Sequence, residues 1–444
     1  MKKGISLLLL IVVLLAPCVY GLEVRAEEED LTEIVFWHSM QENAGTLLEE
    51  LVEEYNEGQG KEAKVKVTAV FQGKYQESVT KMNSALTSDD VANLPDVMNL
   101  DATGKLSYFS SDYAYTVDEA LADHEEDSLD DLLAVALQNW SYSDTQLGLP
   151  FATSTTITYY NKTICEEAGF EEAPKTFADI IELSKKLPKE TEDGLAIIAF
   201  QGLPGTPVLA NYLGQLESYL VNHKNGTEGS AEELVCIEND ALKNFLTEWK
   251  ALYTAGALEN VSADIDAFVA GQVAVFTGSS SGIEGLREKI GDKFELGVSP
   301  YITINEEARP GASVSGSCVV MFDRGEDAQK EAAWNFVKYL ASAEVQAKFA
   351  AGTGYVPANT KSIEVEDYAK LLEDVPHFKV PVDQLKDTPE DMRSVTVGPA
   401  IDFYYAIQNN ISDMLENDMS PEEVVEAMAE ELNGLLEQYN KSNE

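Results

Sequence analysis

An α/β fold on a mainly parallel sheet is predicted by three features of this sequence. Strand-like and helix-like stretches alternate over residues 32–101, the alternation resumes near residue 147, and no Pro- or Gly-rich linker parts the two sets. "TEIVFWH" at 32–38 reads as an apolar strand. The following "AGTLLEELVEEYNEG" places Leu47, Leu48, Leu51, Val52 and Tyr55 on one helical face. "AKVKVTAVF" at 63–71 alternates as a strand, "QESVTKMNSALTS" at 76–88 as a helix, and "LPDVMNL" at 94–100 reads as a buried strand. Ligands of such sheets collect at the carboxyl ends of the strands, which singles out loops 38–43, 71–75 and 101–104.

The second set opens at "LGLPFATSTTITYYN" and leads to a helix whose expected N-cap is Thr176, after Pro174-Lys175. Near the C-terminus Ser420-Pro421-Glu422 starts a helix with Val425, Met428, Leu432, Leu436 and Tyr439 as its buried stripe.

The first residues, "MKKGISLLLLIVVLLAPCVYGLEVRA", combine two lysines, an apolar run and small residues. That pattern is a secretory signal peptide over 1–26, too short for a membrane span. Two endings stay open: cleavage after Ala26, or a lipobox-like Leu15-Ala16-Pro17-Cys18 that would leave Cys18 lipidated. Either way the chain is expected outside the cell, at its surface or in a periplasm. No later segment approaches the ~20 apolar residues of a transmembrane helix.

Removing residues 1–26 moves the formal charge from −47 to −49. Nucleic acid and anionic membrane would both be repelled, so neither is an expected partner. The acidity is read as a solvated surface that keeps the protein soluble. Cys165, Cys236 and Cys318 are far apart and odd in number, which supports no disulfide assignment. His38, His124, His223 and His377 lack metal-ligand spacing, and neither a metal nor a cofactor is expected.

One short motif points to chemistry. Gly278-Ser279-Ser280-Ser281-Gly282 has the G-x-S-x-G spelling of a nucleophile elbow, with a strand-like stretch before it and a helix-like one after. A hydrolase using Ser280 would need an acid and then a histidine downstream, and only His377 is available.

Five stretches in order carry a family resemblance. They are "FWHSMQE" at 36–42, "FQGKYQE" at 71–77, "LPFATSTTITYYNKTICEEAGFEEAPKTF" at 149–177, "AFVAGQVAVFTGSSSGIEGLRE" at 267–288 and "AAWNFVKYLASAEVQAKFAAGTGYVPANT" at 332–360. Together they resemble the extracellular solute-binding proteins of ABC importers, in the carbohydrate-binding group that includes the glycerol-3-phosphate-binding protein. The resemblance implies a two-lobed periplasmic-binding-protein-like fold that clamps ligand between lobes by hinge closure. It places one lobe at 31–151 plus 300–352 and the other at 153–298 plus 356–444. Crossings then fall near Ala152-Thr153, Ser299-Pro300 and Thr353 to Tyr355.

Ligand-binding residues are carried over by position. Tyr75 matches a ligand-contacting tyrosine of the family, and Asp101 an acidic residue. Ser154 sits by the first crossing, Ser279 opens the "GSSSG" turn, and Tyr355 belongs to the "TGY" crossing. Ser315 and Gly316 match a segment whose backbone N–H groups face the cleft. His38 and Ser39 either line the cleft or cap the next helix; Trp37 reads as core packing, Asp101 alternatively as an N-cap, and Tyr355 alternatively as hinge packing. The family's phosphate-gripping arginine is replaced here by Tyr404, with Arg393 nearby in sequence, and its paired cleft tryptophans by Leu203 and Thr206. A tyrosine cannot supply the planar charged fork that pairs two phosphate oxygens.

Asp101 with serine and tyrosine hydroxyls offers the mixed donors and acceptors a neutral polyol needs. The expectation is therefore a monomeric, non-enzymatic receptor that captures a sugar or oligosaccharide and presents it to ABC permease subunits. Glycerol 3-phosphate or a glycerophosphodiester is the alternative ligand, a secreted serine hydrolase using Ser280 the alternative of another class. An adhesin or sensor-associated receptor would use the same fold.

Overall fold

The computed structural model describes residues 31–88, 90–191 and 193–443. The signal segment, its cleavage point and Cys18 lie outside them. Twelve strands are found among the described residues: β1 (Thr32–His38), β2 (Val65–Phe71), β3 (Val97–Asp101), β4 (Ala114–Tyr115), β5 (Ser141–Tyr142), β6 (Thr145–Gln146), β7 (Leu149–Asn161), β8 (Ile198–Gln201), β9 (Leu258–Glu259), β10 (Val273–Ser279), β11 (Leu296–Ser299) and β12 (Val314–Phe322). Ten of them form one sheet in the order β2-β1-β3-β12-β7-β10-β8-β9, with β4 on β12 and β11 on β7.

The sheet is mixed, which corrects the expectation of a mainly parallel one. β1 pairs in parallel with β2 and β3, and β8 with β10 and β9. β7 and β12 join these two parallel groups through antiparallel ladders. A strand by which the chain passes from one group to the other need not enter through a crossover helix, so it is free to run against its neighbours.

The predicted helices form, and their burial follows their sequence pattern. Glu42–Glu57 buries Leu48, Leu51, Val52 and Tyr55. Tyr75–Thr87 buries Val79 and Met82. Phe177–Lys186 starts at a capping box: Thr176 Oγ1 accepts from Asp179 N at 3.2 Å, and the Asp179 carboxylate accepts from Thr176 N at 2.9 Å. Pro421–Asn443 begins after a second one, Ser420 with Glu423. Its buried stripe is Val424, Met428, Leu432 and Leu436, so Val424 takes the place expected for Val425. The Tyr439 ring instead packs over Gly398.

Two large apolar cores flank the β7–β12 ladder. One gathers Ile34, Phe36, Leu51, Tyr55, Phe151, Met321, Phe336 and Phe349, continued on the other sheet face by Met98, Leu100, Trp140 and Val320. The other gathers Phe177, Phe200, Tyr212, Phe245, Trp249, Tyr301, Ile304, Phe403 and Leu432. Asp96 ties β3 to β1: its buried carboxylate accepts from Val35 N at 2.7 Å and from Arg324 Nη1 at 3.1 Å. Cys165, Cys236 and Cys318 are free and buried. No helix among the described residues is long and apolar enough to cross a membrane, and no group of residues there has the makings of a metal site.

The tightest point of the ladder is Gly316. Its φ is +96°, the register shifts by a bulge between it and Ser317, and a Cβ built there would lie 2.1 Å from the Ala152 carbonyl oxygen. Gly169 has a similar φ of +83° with nothing within 4 Å. Gly169→Ala is therefore expected to cost about 1 kcal/mol in urea unfolding, from the left-handed backbone alone. Gly316→Ala should cost more than about 3 kcal/mol, since backbone must move as well.

Candidate functional site

The carboxyl ends of β1, β2 and β3 lie side by side, as the register His38 against Phe71 and Trp37 against Met98 requires. His38 ends β1 at 1 % exposure, and neither ring nitrogen has a hydrogen-bond partner in the protein. Burial lowers its pKa from 6.5 to about 4, so the ring is neutral at pH 7. The next residue, Ser39, is buried with an equally unpartnered hydroxyl. Neither side chain caps the following helix, whose N-cap is Gln41. Trp37 packs at the edge of the core that holds Met98 and Trp140, as expected.

Tyr75 opens its helix with its phenol turned inward. Burial raises its pKa well above the usual phenol value, and Tyr355 adds to the rise. The Ser317 hydroxyl pulls in the opposite direction from close by, without reaching hydrogen-bond geometry. Asp101, at the end of β3 and level with Ser317 on β12, also raises the Tyr75 pKa. The Asp101 carboxylate accepts from Thr103 Oγ1 at 2.6 Å, and burial raises its own pKa. It also occupies the N-cap position of the single turn Ala102–Gly104. Tyr75, Asp101 and Tyr355 thus form one neighbourhood, with Ser317 at its floor. Ser317 Oγ is fixed there by accepting from Asn99 Nδ2 at 2.7 Å and donating to the Phe151 carbonyl at 2.9 Å.

Three chain segments meet beside this group. Ser154 on β7 and Ser315 on β12 stand opposite each other with their hydroxyls 2.9 Å apart. Gly316 sits on the bulge. Val356 N donates to the Thr153 carbonyl at 2.7 Å, which brings in the "TGY" segment. Tyr355 stacks on Phe349 at 5.6 Å, and burial raises its pKa while the adjacent Ser281 hydroxyl opposes the shift. Gly354, φ +84°, packs on the carbonyls of Ser280 and Ser281, so the turn at 278–282 rests directly on this segment.

That turn separates its serines. Ser279 is exposed, its hydroxyl 2.9 Å from that of Ser281, and its carbonyl accepts from Tyr159 Oη at 2.6 Å. Ser280 is fully buried, and its Oγ accepts from Thr155 N at 3.3 Å. An elbow nucleophile needs an exposed hydroxyl with an imidazole partner, and Ser280 shows neither. His377 lies by Arg287, Glu295 and Leu296.

Tyr404 is not brought into contact with the others. Its ring covers Gly205, ahead of the helix Thr206–Gln215, and its hydroxyl accepts from Gln408 Nε2 at 2.9 Å. Arg393 is held by Thr227 Oγ1 at 3.0 Å and by Glu228 at 3.4 Å. Sequence reasoning missed Phe71, 50 % exposed at the end of β2, although an aromatic closing an alternating strand before "QGKY" was a readable signal. It also missed Ser281, which lies within the G-x-S-x-G spelling but has no role in it, and Ser317, which no motif marks. A groove of about 310 Å³ lined by Tyr55, Gln59, Lys338 and Tyr339 holds none of these residues.

Comparison with known proteins places this geometry. The family model described as bacterial extracellular solute-binding protein matches residues 50–378. The sn-glycerol-3-phosphate-binding periplasmic protein UgpB of Pectobacterium atrosepticum is 22 % identical over 437 residues, 96 % of each chain. The GacH receptor of Streptomyces glaucescens, solved unliganded and with acarbose, superposes with a TM-score of 0.71 at 22 % identity, covering 92 % of this chain and 99 % of that one. UgpB of Mycobacterium tuberculosis in complex with glycerophosphocholine gives 0.70 at 18 %, covering 91 % and 98 %. The fold shared with these proteins has two lobes.

The buried His38 generates a pH prediction. Between pH 6.5 and 4 the unfolded chain binds a proton that the folded one refuses, so the His38 contribution to stability falls as pH drops through that window, by up to about 3 kcal/mol. The raised carboxyls of Asp96 and Asp101 act in the opposite sense. His38→Asn should therefore flatten the loss specifically between pH 6.5 and 4. Parallel stability curves for the two proteins across that range would show that the imidazole is not excluded from protonation.

Proposed function

Because the chain belongs to the bacterial extracellular solute-binding proteins, we propose that it captures a neutral sugar or oligosaccharide between its lobes and delivers it to the permease of an ABC importer. One observation carries the choice of a neutral ligand: the cleft candidates supply hydroxyls, a neutral imidazole and one carboxylate, while the cation nearest in sequence, Arg393, is engaged by Thr227 and Glu228. A phosphate ester needs a charged fork, and Tyr404 stands where the family resemblance puts it. Phe71 and Tyr355 add ring surfaces that suit the apolar faces of sugars.

In this reading Tyr75, Asp101, His38 and Ser39 line one wall, Ser154, Gly316 and Tyr355 the hinge, and Ser279 and Tyr404 the other wall. The first lobe takes residues 31–151 and 317–352, the second 155–312 and 356–443. The middle crossing is drawn at 313–316 rather than at Ser299-Pro300 because Tyr301, Ile302, Ile304 and Ala312 pack in the core with Phe177 and Trp249. The protein acts as a monomer outside the membrane without turnover of its ligand, tethered through Cys18 or released after Ala26.

Relatives named for glycerol 3-phosphate and glycerophosphocholine support the competing ligand. Calorimetry of the exported chain against a panel of mono- and oligosaccharides plus glycerol 3-phosphate separates the two. Micromolar binding of a sugar, about −8 kcal/mol, is expected. Ser279→Ala and Tyr75→Phe should each weaken it about tenfold, the loss of one hydrogen bond of about 1.4 kcal/mol. Binding of glycerol 3-phosphate alone would overturn the neutral-ligand choice.

A further inference from the structure

Arg393 joins the two core units at a second place, away from the sheet that links them. Its backbone belongs to the core with Trp249: its carbonyl accepts from Asn225 Nδ2 at 2.9 Å, Asn225 O accepts from Thr396 N at 2.8 Å, and Arg309 grips Asp391 with both carboxylate oxygens at 3.0 Å. The guanidinium Nη1 donates to Thr227 in the same unit. Its Nη2 reaches out of that unit to Gln138, whose amide, turned to satisfy both of its ends, accepts at 2.8 Å.

The segment at 138–143 belongs to the other core, through Trp140 and Tyr142 packed with Met98 and Leu100. Two further bonds join the same segments: Ser143 N donates to the Thr227 carbonyl at 3.0 Å, and Ser394 Oγ donates to Asn139 Oδ1. Lys105, 2 % exposed, holds the Asn139 carbonyl at 3.0 Å from the far side. The helix Ala134–Asn139 begins where Val135 packs with Val314, Val356 and Leu385, next to the chain crossings.

We propose that Arg393 is a positioning residue that locks the two lobes together beside the hinge, a non-covalent crossing that fixes the axis about which the cleft closes. This rests on the two-lobed reading. Covalent crossings alone at 152–154, 313–316 and 353–356 leave twist as well as bend. A charge-assisted contact beside them but off their line removes the twist, so ligand selects from fewer lobe orientations. Apparent affinity scales with the fraction of molecules in the competent arrangement, so the lock acts on every ligand equally.

The test uses spin labels on Glu49→Cys and Lys289→Cys, both exposed and one in each lobe, in the chain that begins after Ala26, where Cys165, Cys236 and Cys318 are buried with thiols whose pKa burial raises. Without ligand, Arg393→Ala should broaden the interlobe distance distribution, and Arg393→Lys should restore part of it. Thr227→Val and Gln138→Leu remove one side of the lock each and serve if the alanine variant does not fold. For ligands that bind the parent protein, affinity should fall about fivefold to tenfold for all alike. An unchanged distance distribution in the folded variants overturns the proposal whether or not a sugar binds. Loss confined to anionic ligands overturns it in favour of direct contact.

Discussion

Everything functional in this molecule hangs on the antiparallel ladder between β7 and β12. β7 is buried along most of its thirteen residues and serves two parallel groups, pairing with β12 through Leu149–Thr155 and with β10 through Thr156–Tyr160. A strand with neighbours in both units cannot shift register without turning its alternate side chains to the wrong face in both. The position of Ser154 relative to Ser315, and through the turn of Ser279 relative to Tyr355, is therefore set by core packing on two sides. The bulge at Gly316 and the left-handed Ala152, φ +54°, are where that ladder is strained. Strain of this kind persists only where the surroundings over-determine it, which two flanking cores do.

The chemistry of the site is set by contrast with the surface. A chain with a formal charge of −47 carries its acidity outward, and the residues around the strand ends are mostly uncharged hydroxyls and one neutral imidazole. Asp101 is the acidic exception, and its raised pKa reflects removal from water. Polar groups such as those of His38, Ser39 and Tyr75 cost about 1–3 kcal/mol each when they lack a hydrogen-bond partner in the protein. In the proposed binding mode a ligand bearing hydroxyls relieves that cost, which would make these groups a source of affinity as well as of specificity.

Local signals were legible and long-range ones were not. The apolar stripes at Leu48–Tyr55 and Met428–Leu436, and the caps at Thr176 and Ser420, are interactions within a few residues, so the sequence pattern carries them directly. The antiparallel sense of β12 depends on which strand it meets, with Ser315 pairing Ser154 from 161 residues earlier, and nothing local encodes that. The same holds for the segment at 301–312, whose apolar residues fit either core until Phe177 and Tyr212 are placed. In the turn at 278–282, spelling alone could not rank the serines. Burial ranks them, because Ser280 spends its hydroxyl on the Thr155 amide and leaves Ser279 facing out.

A two-lobed receptor obtains affinity from two sources, the contacts it makes and the cost of arranging the lobes to make them. In the proposed site the contacts come from hydroxyls, ring faces and a neutral imidazole, and few of them are charged. Their energies are individually small, so the equilibrium between lobe orientations weighs heavily in the total. The turn around Ser279 rests on Gly354 and the "TGY" segment rather than on a free loop, so any rotation about the crossings carries Ser279 and Tyr355 together. In the proposed reading, hinge geometry and ligand recognition are therefore coupled through this segment. A substitution at Gly354 or Gly316 would then act on binding through position, because each sits where backbone segments meet.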